Sequence, residues 1–350
     1  MSSIAGRRLH ANVAVVIVTY NSTSTLNVCL DALARQTLDP ARTLIIDNAS
    51  PEGFPEAALA GRRNLEVVRN NENVGFAAAN NQAFEILRDD ASIELVALLN
   101  PDAFPEREWL AALVDAAERH PDFDAFASRM MIDGTDDIVD GMGDAYHVSG
   151  LAWRIGHGLR LGPSHLIGRE VFGVCAGAGL YRLDTLRSIG GFDTDLFCYL
   201  EDVDLSFRLR RIGRKSRYVP SAVVWHVGGE STRENGAFRL YHGHRNMIWV
   251  YLKNMPTGLL LLSLPVHIAV NIVGIVRSLW RGDVMTVLRA KYDAIRAIGR
   301  VMEQRKELRA SASVGSLQLW RHLSKALWRR ISSRSVPQRG NHIDSIKRPS

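Results

Sequence analysis

Residues 13–21 have the sequence VAVVIVTYN, in which six apolar and mostly β-branched residues are followed by a polar end. Such a run favours a buried β-strand, because branched side chains pack well on a pleated surface that is covered on both sides. Leu26, Leu30 and Leu33 then recur at the spacing of a helix face. The stretch therefore predicts a strand, a polar loop and a helix in succession.

The same alternation continues along the first third of the chain. Apolar runs at 44–46, 65–68 and 94–99 predict three more strands, and helical spacing is found at 76–87 and 109–117. Strands that alternate with helices form a mainly parallel sheet with helices on both faces. The predicted fold class is therefore α/β.

Further elements are predicted beyond residue 130. Residues 171–180 and 218–225 have the composition of two additional strands, and 202–212 has helical spacing with acidic residues in its first turn. Residues 133–164 are irregular and rich in glycine. They predict a long loop or hairpin over the ligand site.

In open α/β sheets, ligands bind beyond the carboxyl ends of the strands. The sequence places Thr19 and Tyr20 after the first strand and Asp47 after the second. The carboxylate of Asp47 can accept a hydrogen bond from N3–H of uracil or thymine or from a ribose hydroxyl; alternatively, it caps a turn. Because residues 19–21 lack the glycines of a G-x-G-x-x-G loop, the sequence argues against NAD or FAD.

Residues 70–81, NNENVGFAAANN, join the third strand to the next helix. Gly75 permits close approach of a ligand to the backbone, and free N–H groups at the helix start favour an anion. One interpretation is a phosphate or ribose contact. The other is a glycine-containing turn before an ordinary helix.

Asn100, Pro101 and Asp102 follow the fourth strand. A carboxylate at that position suits an Mg²⁺ or Mn²⁺ ion that is shared with substrate phosphates. Proline and aspartate are also ordinary turn residues, so the tripeptide alone does not decide between a metal site and a turn.

Three carboxylates lie within four residues at Glu201, Asp202 and Asp204. Since like charges repel one another in a folded protein, their clustering indicates a metal, catalysis or helix capping. Asp204 is expected to stabilise the amino end of the helix, whereas Glu201 and Asp202 precede it and can face a cleft. His226, after the last predicted strand, is either a metal ligand or a buried core histidine.

Taken together, these segments resemble family 2 glycosyltransferases, most closely the bacterial rhamnosyltransferase-like branch that builds cell-surface polysaccharides. The resemblance covers residues 13–256. It is carried by an ordered set of segments: VAVVIVTYN, LIIDNAS, NNENVGFAAANN, LLNPDAF, GAGLYR, GGFD, FCYLEDVDLSFRLRRIG, YVPSAVVWHVGG and HRNMIWVYLKNMP.

The resemblance implies a GT-A fold and a set of site residues. Asp102 matches the final carboxylate of the family's DxD motif, whereas Asn100 departs from its first aspartate and removes one charge from the donor site. Asp202 matches the catalytic base, its neighbour Glu201 belongs on the acceptor side, and His226 matches the metal-binding histidine. The residues implied to bind the donor nucleotide are Thr19, Tyr20, Asp47, Asn73, Gly75, Asn81, Asn100 and Asp102.

The implied reaction is an inverting transfer from a nucleotide-sugar donor, with Mg²⁺ or Mn²⁺ as cofactor. The position of Asp47 implies a pyrimidine nucleotide, and the branch implies dTDP-rhamnose as donor and a glycan or polyprenyl-diphosphate-linked acceptor. Two other classes stay open: a metal-dependent sugar nucleotidyltransferase, which uses a similar sheet and metal, and a non-catalytic sugar-binding protein.

The net charge of +6 is concentrated in one part of the chain. Residues 281–350 hold sixteen Lys/Arg and five Asp/Glu, so the remainder is slightly acidic. No nucleic-acid reading motif accompanies these cations, which argues against a nucleic-acid partner. Three widely spaced cysteines form neither a zinc spacing nor a disulfide framework, and the apolar start is too short for a signal peptide, so we expect a cytoplasmic protein.

The carboxyl-terminal part is expected to associate with a membrane. Residues 259–276 are almost continuously apolar but contain Pro265, His267 and Asn271, which favours a helix at the interface over a membrane span. Two basic amphipathic helices are predicted after it; their apolar faces are Val284, Leu288, Tyr292, Ile295, Ile298 and Met302, and then Leu319, Leu323 and Leu327.

The alternative is that both helices pack on the catalytic domain or in a dimer, with their Lys and Arg side chains solvated. The predicted division is a catalytic domain at 1–255, an interfacial helix at 256–280, basic helices at 281–330 and a disordered tail at 331–350. The location predicted from this division is the inner face of the cell membrane, with peripheral attachment.

Overall fold

A computed structural model describes residues 11–62, 64–228 and 236–325. The predicted tail at 331–350 lies outside these residues. The strands are β1 Ala11–Thr19, β2 Pro40–Asp47, β3 Leu65–Arg69, β4 Leu95–Leu99, β5 Ala103–Pro105, β6 Ala125–Ile132, β7 Val139–Gly141, β8 Asp144–Tyr146, β9 Ala152–Arg154, β10 Arg169–Val171, β11 Ala178–Arg182 and β12 Ser216–His226. The α-helices are α1 Thr23–Ala34, α2 Gly75–Ile86, α3 Trp109–Arg119, α4 Leu183–Ser188, α5 Glu201–Arg211, α6 Gly236–Asn254, α7 Thr257–Arg281, α8 Val284–Arg296, α9 Ile298–Ser311 and α10 Ser316–His322.

One large sheet organises the chain, with strand order β10-β12-β6-β11-β4-β1-β2-β3. Strands β4, β1, β2 and β3 pair in parallel, as do β6 and β12, whereas β11 runs antiparallel between these two groups. The short strand β5 pairs antiparallel with β12. This last pairing brings the chain segment after β4 to the end of β12.

Most elements predicted from the apolar pattern are confirmed, including the first four strands and α1, α2, α3 and α5. The prediction of a single strand at 171–180 is wrong, because β10 ends at residue 171 and β11 begins at 178, with an irregular turn between them. Strand β6, which the apolar pattern does not predict, lies in the middle of the sheet.

The core lies on both faces of the sheet, as the side-chain alternation of a strand requires. Val13, Val15 and Ile17 of β1 belong to one buried cluster, in which α1 and α3 cover the sheet. The intervening residues of β1 belong to a second cluster, which α2 and α5 cover. Helix layers on both faces match the predicted architecture.

A third buried cluster joins the carboxyl-terminal helices to the rest of the chain. It contains Phe207 of α5, Tyr251 of α6, Leu259 of α7 and Leu319 of α10. Leu319 and Leu323 are therefore buried and not available to a membrane, so the apolar face predicted for this helix packs on the protein; Leu327 lies outside the described residues.

Helices α7 and α8 present a large apolar surface to solvent. Among the described residues, α7 is the one helix long and apolar enough to cross a membrane by length and composition, and little of it is buried. We call this surface the tail face. Its exposed members are Leu261, Leu262, Ile268, Ile272, Val273, Val276, Leu279, Trp280, Met285, Leu288, Tyr292 and Ile295.

Candidate active site

A cavity of about 770 Å³ opens beyond the carboxyl ends of β1 and β4. It lies where an α/β sheet is expected to bind its ligand. The sequence-predicted residues that line it are Tyr20, Asn73, Gly75, Asn100, Asp102, Glu201, Asp202 and His226. The fold therefore brings residues as far apart in the sequence as Tyr20 and His226 into one cavity.

Three predicted donor-site residues do not line this cavity. Thr19 is buried, and its carbonyl accepts a hydrogen bond from the N–H of Asn48 at 2.8 Å. The buried carboxylate of Asp47 accepts a hydrogen bond from Ser50 Oγ at 2.6 Å. Asn81 bonds both N–H and C=O of Phe192, each at 2.8 Å, and so ties α2 to the GGFD segment. A direct contact of these side chains with a nucleotide stays a prediction.

Asp102 and His226 lie together at the end of the cavity nearest β12. Nε2 of His226 is 3.4 Å from Oδ1 of Asp102, and Nδ1 of His226 bonds Oδ2 of Asp140 at 2.8 Å. Burial disfavours the imidazolium, but the charges of Asp102 and Asp140 outweigh it and raise the pKa of His226 to about 9. His226 and its two carboxylates form a buried row with His226 in the middle.

Asp140, at one end of that row, has further partners. Besides His226, it accepts hydrogen bonds from Arg154 and from Nδ1 of His157. Burial opposes the ionisation of Asp140, yet the charge of Arg154 and these hydrogen bonds hold its pKa well below the usual range. An ionised Asp140 fixes the ring of His226 with Nε2 toward Asp102.

The arrangement fits a divalent metal that is shared with a substrate. Two ligands of one ion at about 2.1 Å each lie about 3 Å apart when they are adjacent, close to the observed 3.4 Å between His226 and Asp102. Nε2 of His226 is buried and has no hydrogen-bond partner among the described residues. The part of the chain that the structure describes holds no group of three or more His, Cys, Asp or Glu that suits a metal, so substrate oxygens would complete the coordination.

Asp202 lies at the start of α5, in the wall of the cavity. Its two oxygens accept hydrogen bonds from backbone N–H groups, Oδ1 from Val203 at 2.8 Å and Oδ2 from Ala176 at 3.2 Å. Burial raises the pKa of Asp202 even though these hydrogen bonds and Arg154 favour its ionised form. A carboxylate that is fixed in direction and has a raised pKa is suited to accept a proton.

Two further acids surround Asp202. Glu201 is buried, its Oε2 has no partner among the described residues, and burial together with the charge of Asp202 raises its pKa well above the usual value. Burial and the charge of Asp202 also raise the pKa of Asp144 to about 8. Asp144 is therefore protonated near neutral pH, beside Asp202, whose direction two backbone N–H groups fix.

Asp204 is structural, as predicted, but its partners lie on α5 and α6 rather than at the N–H groups of the helix start. It is fully buried and bonds Nε of Arg208 at 2.8 Å, Nζ of Lys253 at 2.7 Å and Nδ2 of Asn254 at 2.6 Å. Burial opposes its ionisation, but the two cations hold its pKa below the usual value. It fastens α5 to α6.

Backbone N–H groups at the start of α2, which the sequence predicts to be free for an anion, form hydrogen bonds with neighbouring loops. The N–H of Val74 bonds Asn48 Oδ1, that of Gly75 bonds Asn73 Oδ1, and that of Ala77 bonds the carbonyl of Phe197. These three groups are therefore not free to bind an anion. Gly75 is required for another reason: its φ is +85°, and a Cβ there would lie 2.6 Å from the ring and 2.8 Å from the carbonyl oxygen of Phe197.

Sequence reasoning missed several residues of the site. Asn48, Asp144 and Arg154 line the cavity, and Asp140 supports His226 from behind. Asp140, Asp144 and Arg154 lie in the glycine-rich stretch at 133–164, where the absence of periodicity gives no sign of which side chains point inward. An arginine in a predicted loop with two nearby aspartates was the available signal.

Comparison with known proteins places this geometry in context. The family described as "Glycosyl transferase family 2" matches residues 14–190. The chain is 30% identical over 265 residues to the N-acetylglucosaminyl-diphospho-decaprenol L-rhamnosyltransferase of Mycobacterium tuberculosis, a match that covers 70% of this chain and 85% of that protein. It is 28% identical over 235 residues to the pre-mycofactocin glycosyltransferase of the same species, over 67% of this chain and 46% of that protein.

A solved structure shares the fold. The crystal structure of GalNAc-T7 with UDP, GalNAc and Mn²⁺ matches with a TM-score of 0.50 and 20% sequence identity, over 61% of this chain and 42% of that one. At this identity the likeness concerns the fold alone. The prediction of a GT-A fold is confirmed.

Proposed function

The chain belongs to glycosyl transferase family 2, and we propose that it is an inverting glycosyltransferase in which Asp202 is the general base. The observation that carries the proposal is the position of this carboxylate. Asp202 lies in the same cavity as Asp102 and His226, and two backbone N–H groups fix its direction. One side of the cavity suits a donor diphosphate and the other offers a base to an acceptor hydroxyl.

The reaction follows from these positions. Asp202 takes the proton of the acceptor hydroxyl as the oxygen attacks the anomeric carbon of the donor from the face opposite the nucleotide. The bond from that carbon to the diphosphate breaks, the nucleoside diphosphate leaves, and the configuration of the sugar inverts. Asp102 and His226 would hold Mg²⁺ or Mn²⁺, which supplies positive charge to the leaving diphosphate. GalNAc-T7, which shares the fold, was solved with Mn²⁺.

The donor proposed is a pyrimidine nucleotide sugar, with dTDP-rhamnose as the first choice. The name of the mycobacterial relative, an L-rhamnosyltransferase, supports rhamnose. Asn48 and Asn73 supply amide groups on the nucleotide side of the cavity, joined by a 2.7 Å hydrogen bond, and Asp47 lies directly before Asn48. Glycosyl transfer with a purine-nucleotide donor in preference to dTDP or UDP sugars would contradict the base assignment.

The acceptor proposed is a glycan on a polyprenyl diphosphate, held at the cytoplasmic face of the membrane. The relative's name includes a decaprenol diphosphate acceptor, which supports this class. The tail face is the second support. Its apolar residues alternate with Arg277, Arg281, Arg289 and Arg296, a pattern that suits an anionic lipid surface.

The tail face is joined to the cavity wall. Nδ1 of His267, in the middle of α7, donates a hydrogen bond to the carbonyl of Ser149 at 2.7 Å, and the next residue, Gly150, lines the cavity. The ring of His267 also stacks on that of Tyr251 at a centroid distance of 3.8 Å. Binding of α7 to a membrane would therefore bring the acceptor side of the cavity close to a substrate that cannot leave the bilayer.

The decisive experiment measures the products formed from a panel of nucleotide sugars with a polyprenyl-diphosphate N-acetylsugar as acceptor. We expect a nucleoside diphosphate to be released together with an elongated lipid. Release of pyrophosphate would indicate a nucleotidyltransferase, and donor binding without turnover would indicate a sugar-binding protein. Retention of the donor's anomeric configuration in the product would refute the direct displacement.

A further inference from the structure

The loop before Asp202 has an unusual backbone. Phe197 has φ 64° and ψ −66°, and the N–H of Cys198 bonds the carbonyl of Leu196 at 2.7 Å, which defines a γ-turn of the rare, strained kind. Tyr199 and Leu200 follow with φ of 68° and 67°. Three non-glycine residues among four consecutive positions thus have positive φ, a strained backbone conformation that persists only where the surrounding structure holds it.

This strained segment belongs to the cavity wall. All residues from Phe197 to Asp202 line the cavity, and α5 begins at Glu201 directly after the segment. The carbonyl of Leu200 accepts the first hydrogen bond of α5, from the N–H of Asp204 at 2.9 Å. The path of the backbone through the strained segment therefore sets where the carboxylate of Asp202 points.

One buried side chain bonds two residues of the segment and the residue before it. Nδ2 of Asn246, on α6, donates to the carbonyls of Leu196 at 2.9 Å, Cys198 at 3.0 Å and Tyr199 at 2.7 Å. Its Oδ1 accepts a hydrogen bond from Nε of Arg245 at 2.9 Å, and Arg245 in turn donates to the carbonyls of Asp195 and Leu196. Asn246 is 0% exposed and does not line the cavity, so it cannot touch a substrate.

We propose that Asn246 is a positioning residue for the transfer reaction, which acts by holding the strained segment 197–200 and thereby the direction of Asp202. The inference rests on the proposed role of Asp202 as base. It gives a function to the HRN part of the HRNMIWVYLKNMP segment, which the donor and metal sites leave unexplained. An amide is needed because its N–H₂ group reaches three carbonyls that apolar side chains would leave without this partner.

The test compares two isosteric substitutions on the same helix. Asn246→Leu keeps approximate shape and removes the donors to the segment. Asn254→Leu is the matched control: Asn254 is also buried on α6, but its Nδ2 donates to Asp204 Oδ1 at 2.6 Å and to the carbonyl of Val250 at 3.1 Å. Both variants should lower the melting temperature, because each leaves buried polar groups unpaired.

The readouts are kcat and donor KM per folded molecule, binding of the nucleoside diphosphate by calorimetry, and hydrogen exchange of peptides that cover 194–202. For Asn246→Leu we expect kcat to fall on the order of 10²-fold, because small displacements of a reacting group have such effects, while the Kd of the nucleoside diphosphate changes less than about threefold. The backbone amides of residues 194–202 should exchange their hydrogens faster than in the unmodified enzyme. Asn254→Leu should keep kcat within about threefold of the unmodified enzyme.

Two results would overturn the proposal: an unchanged kcat in Asn246→Leu, or equal losses of kcat in both variants, which would show a general effect of stability. The base assignment is tested separately with Asp202→Asn, since activity that survives in this variant refutes that assignment whatever Asn246→Leu does. If Asp202→Asn is inactive and Asn246→Leu is fully active, the proposed function stands and the positioning role is wrong.

Discussion

Nε2 of His226 lies 3.4 Å from Oδ1 of Asp102, although the two residues are far apart in the sequence. The antiparallel pairing of β5 with β12 produces this contact, because it sets His226 opposite Ala103, and the N–H of Val227 bonds the carbonyl of Asp102 at 3.0 Å. A short strand directly after the NPD turn is therefore what assembles the candidate metal site.

Removal of Asp102 or His226 should weaken donor binding only when metal is present. For Asp102→Ala and His226→Ala we expect the Kd of the nucleoside diphosphate with Mn²⁺ to rise at least about tenfold, since each variant loses one ligand of the shared ion. Calorimetry with and without Mn²⁺ checks this, and the metal-free Kd is the internal control. Full activity of the unmodified enzyme in the presence of a chelator would show that the metal assignment is wrong.

Asp202→Asn keeps the shape of the side chain and removes the proposed base. We expect turnover to fall on the order of 10²–10⁴-fold while the nucleoside diphosphate still binds. Release of nucleoside diphosphate in a coupled assay gives the rate. Asp184→Asn, at a carboxylate that is 93% exposed on α4, is the control and should match the unmodified enzyme.

Asp144 should make the stability of the protein depend on pH. Its pKa is about 8 in the folded protein and near 4 in the unfolded chain, so the folded state holds its proton more tightly. The resulting stabilisation is present below about pH 4 and is lost as the pH rises toward 8.

Asp144→Asn has no proton to lose, so its melting temperature relative to the unmodified protein should increase steadily between pH 4 and pH 8. Thermal unfolding of both proteins across that range measures the difference. A difference that does not vary with pH would contradict the protonated state assigned to Asp144.

Gly75→Ala should lower the free energy of unfolding more than the same change at another glycine with positive φ. Its Cβ would collide with the ring and backbone carbonyl of Phe197, whereas a Cβ on Gly134, with φ of 75°, would meet no atom within 4 Å. Gly134→Ala should cost about 1–2 kcal/mol of unfolding free energy, from backbone conformation alone. Gly75→Ala should cost more and also lower kcat, because Phe197 begins the segment that leads to Asp202. Equal losses of stability in urea unfolding would contradict the close packing.

The tail face should bind anionic lipid. Ile272→Glu, Val273→Glu and Trp280→Glu place charge on exposed apolar positions and should each reduce sedimentation with vesicles that contain phosphatidylglycerol. Ile167→Glu is the matched control, because Ile167 is 64% exposed but lies outside the carboxyl-terminal helices. A chain that ends near residue 255 would test lipid binding less cleanly than these substitutions. It would expose to solvent the buried cluster around Phe207 and Tyr251, to which the carboxyl-terminal helices contribute.

Much of the catalytic fold follows from local pattern. The apolar runs that end in polar residues specify β1 to β4, and the helices between them have clear periodicity. The signal is strongest for the central strands β1 and β4, because a strand that is covered on both faces is apolar along almost its whole length. Strand β6 lacks such a signal: Ser128 and Arg129 interrupt its apolar residues, and its place in the sheet depends on pairing with β11 and β12. Pairing between distant strands is a long-range property that no local window contains.

By itself, the sequence determined the parallel half of the sheet, the acidic start of α5 and the family resemblance that singled out Asp102, Asp202 and His226. Tertiary structure alone decided which of the other predicted residues line the cavity and which instead bond the backbone of a neighbouring loop, as Asn81 bonds Phe192. It also decided that Asp140 orients His226 and that Asn246 holds the backbone before Asp202. The reason is physical: periodicity reports which face of an element is buried, whereas the direction of a polar side chain depends on partners that folding brings together from distant parts of the chain.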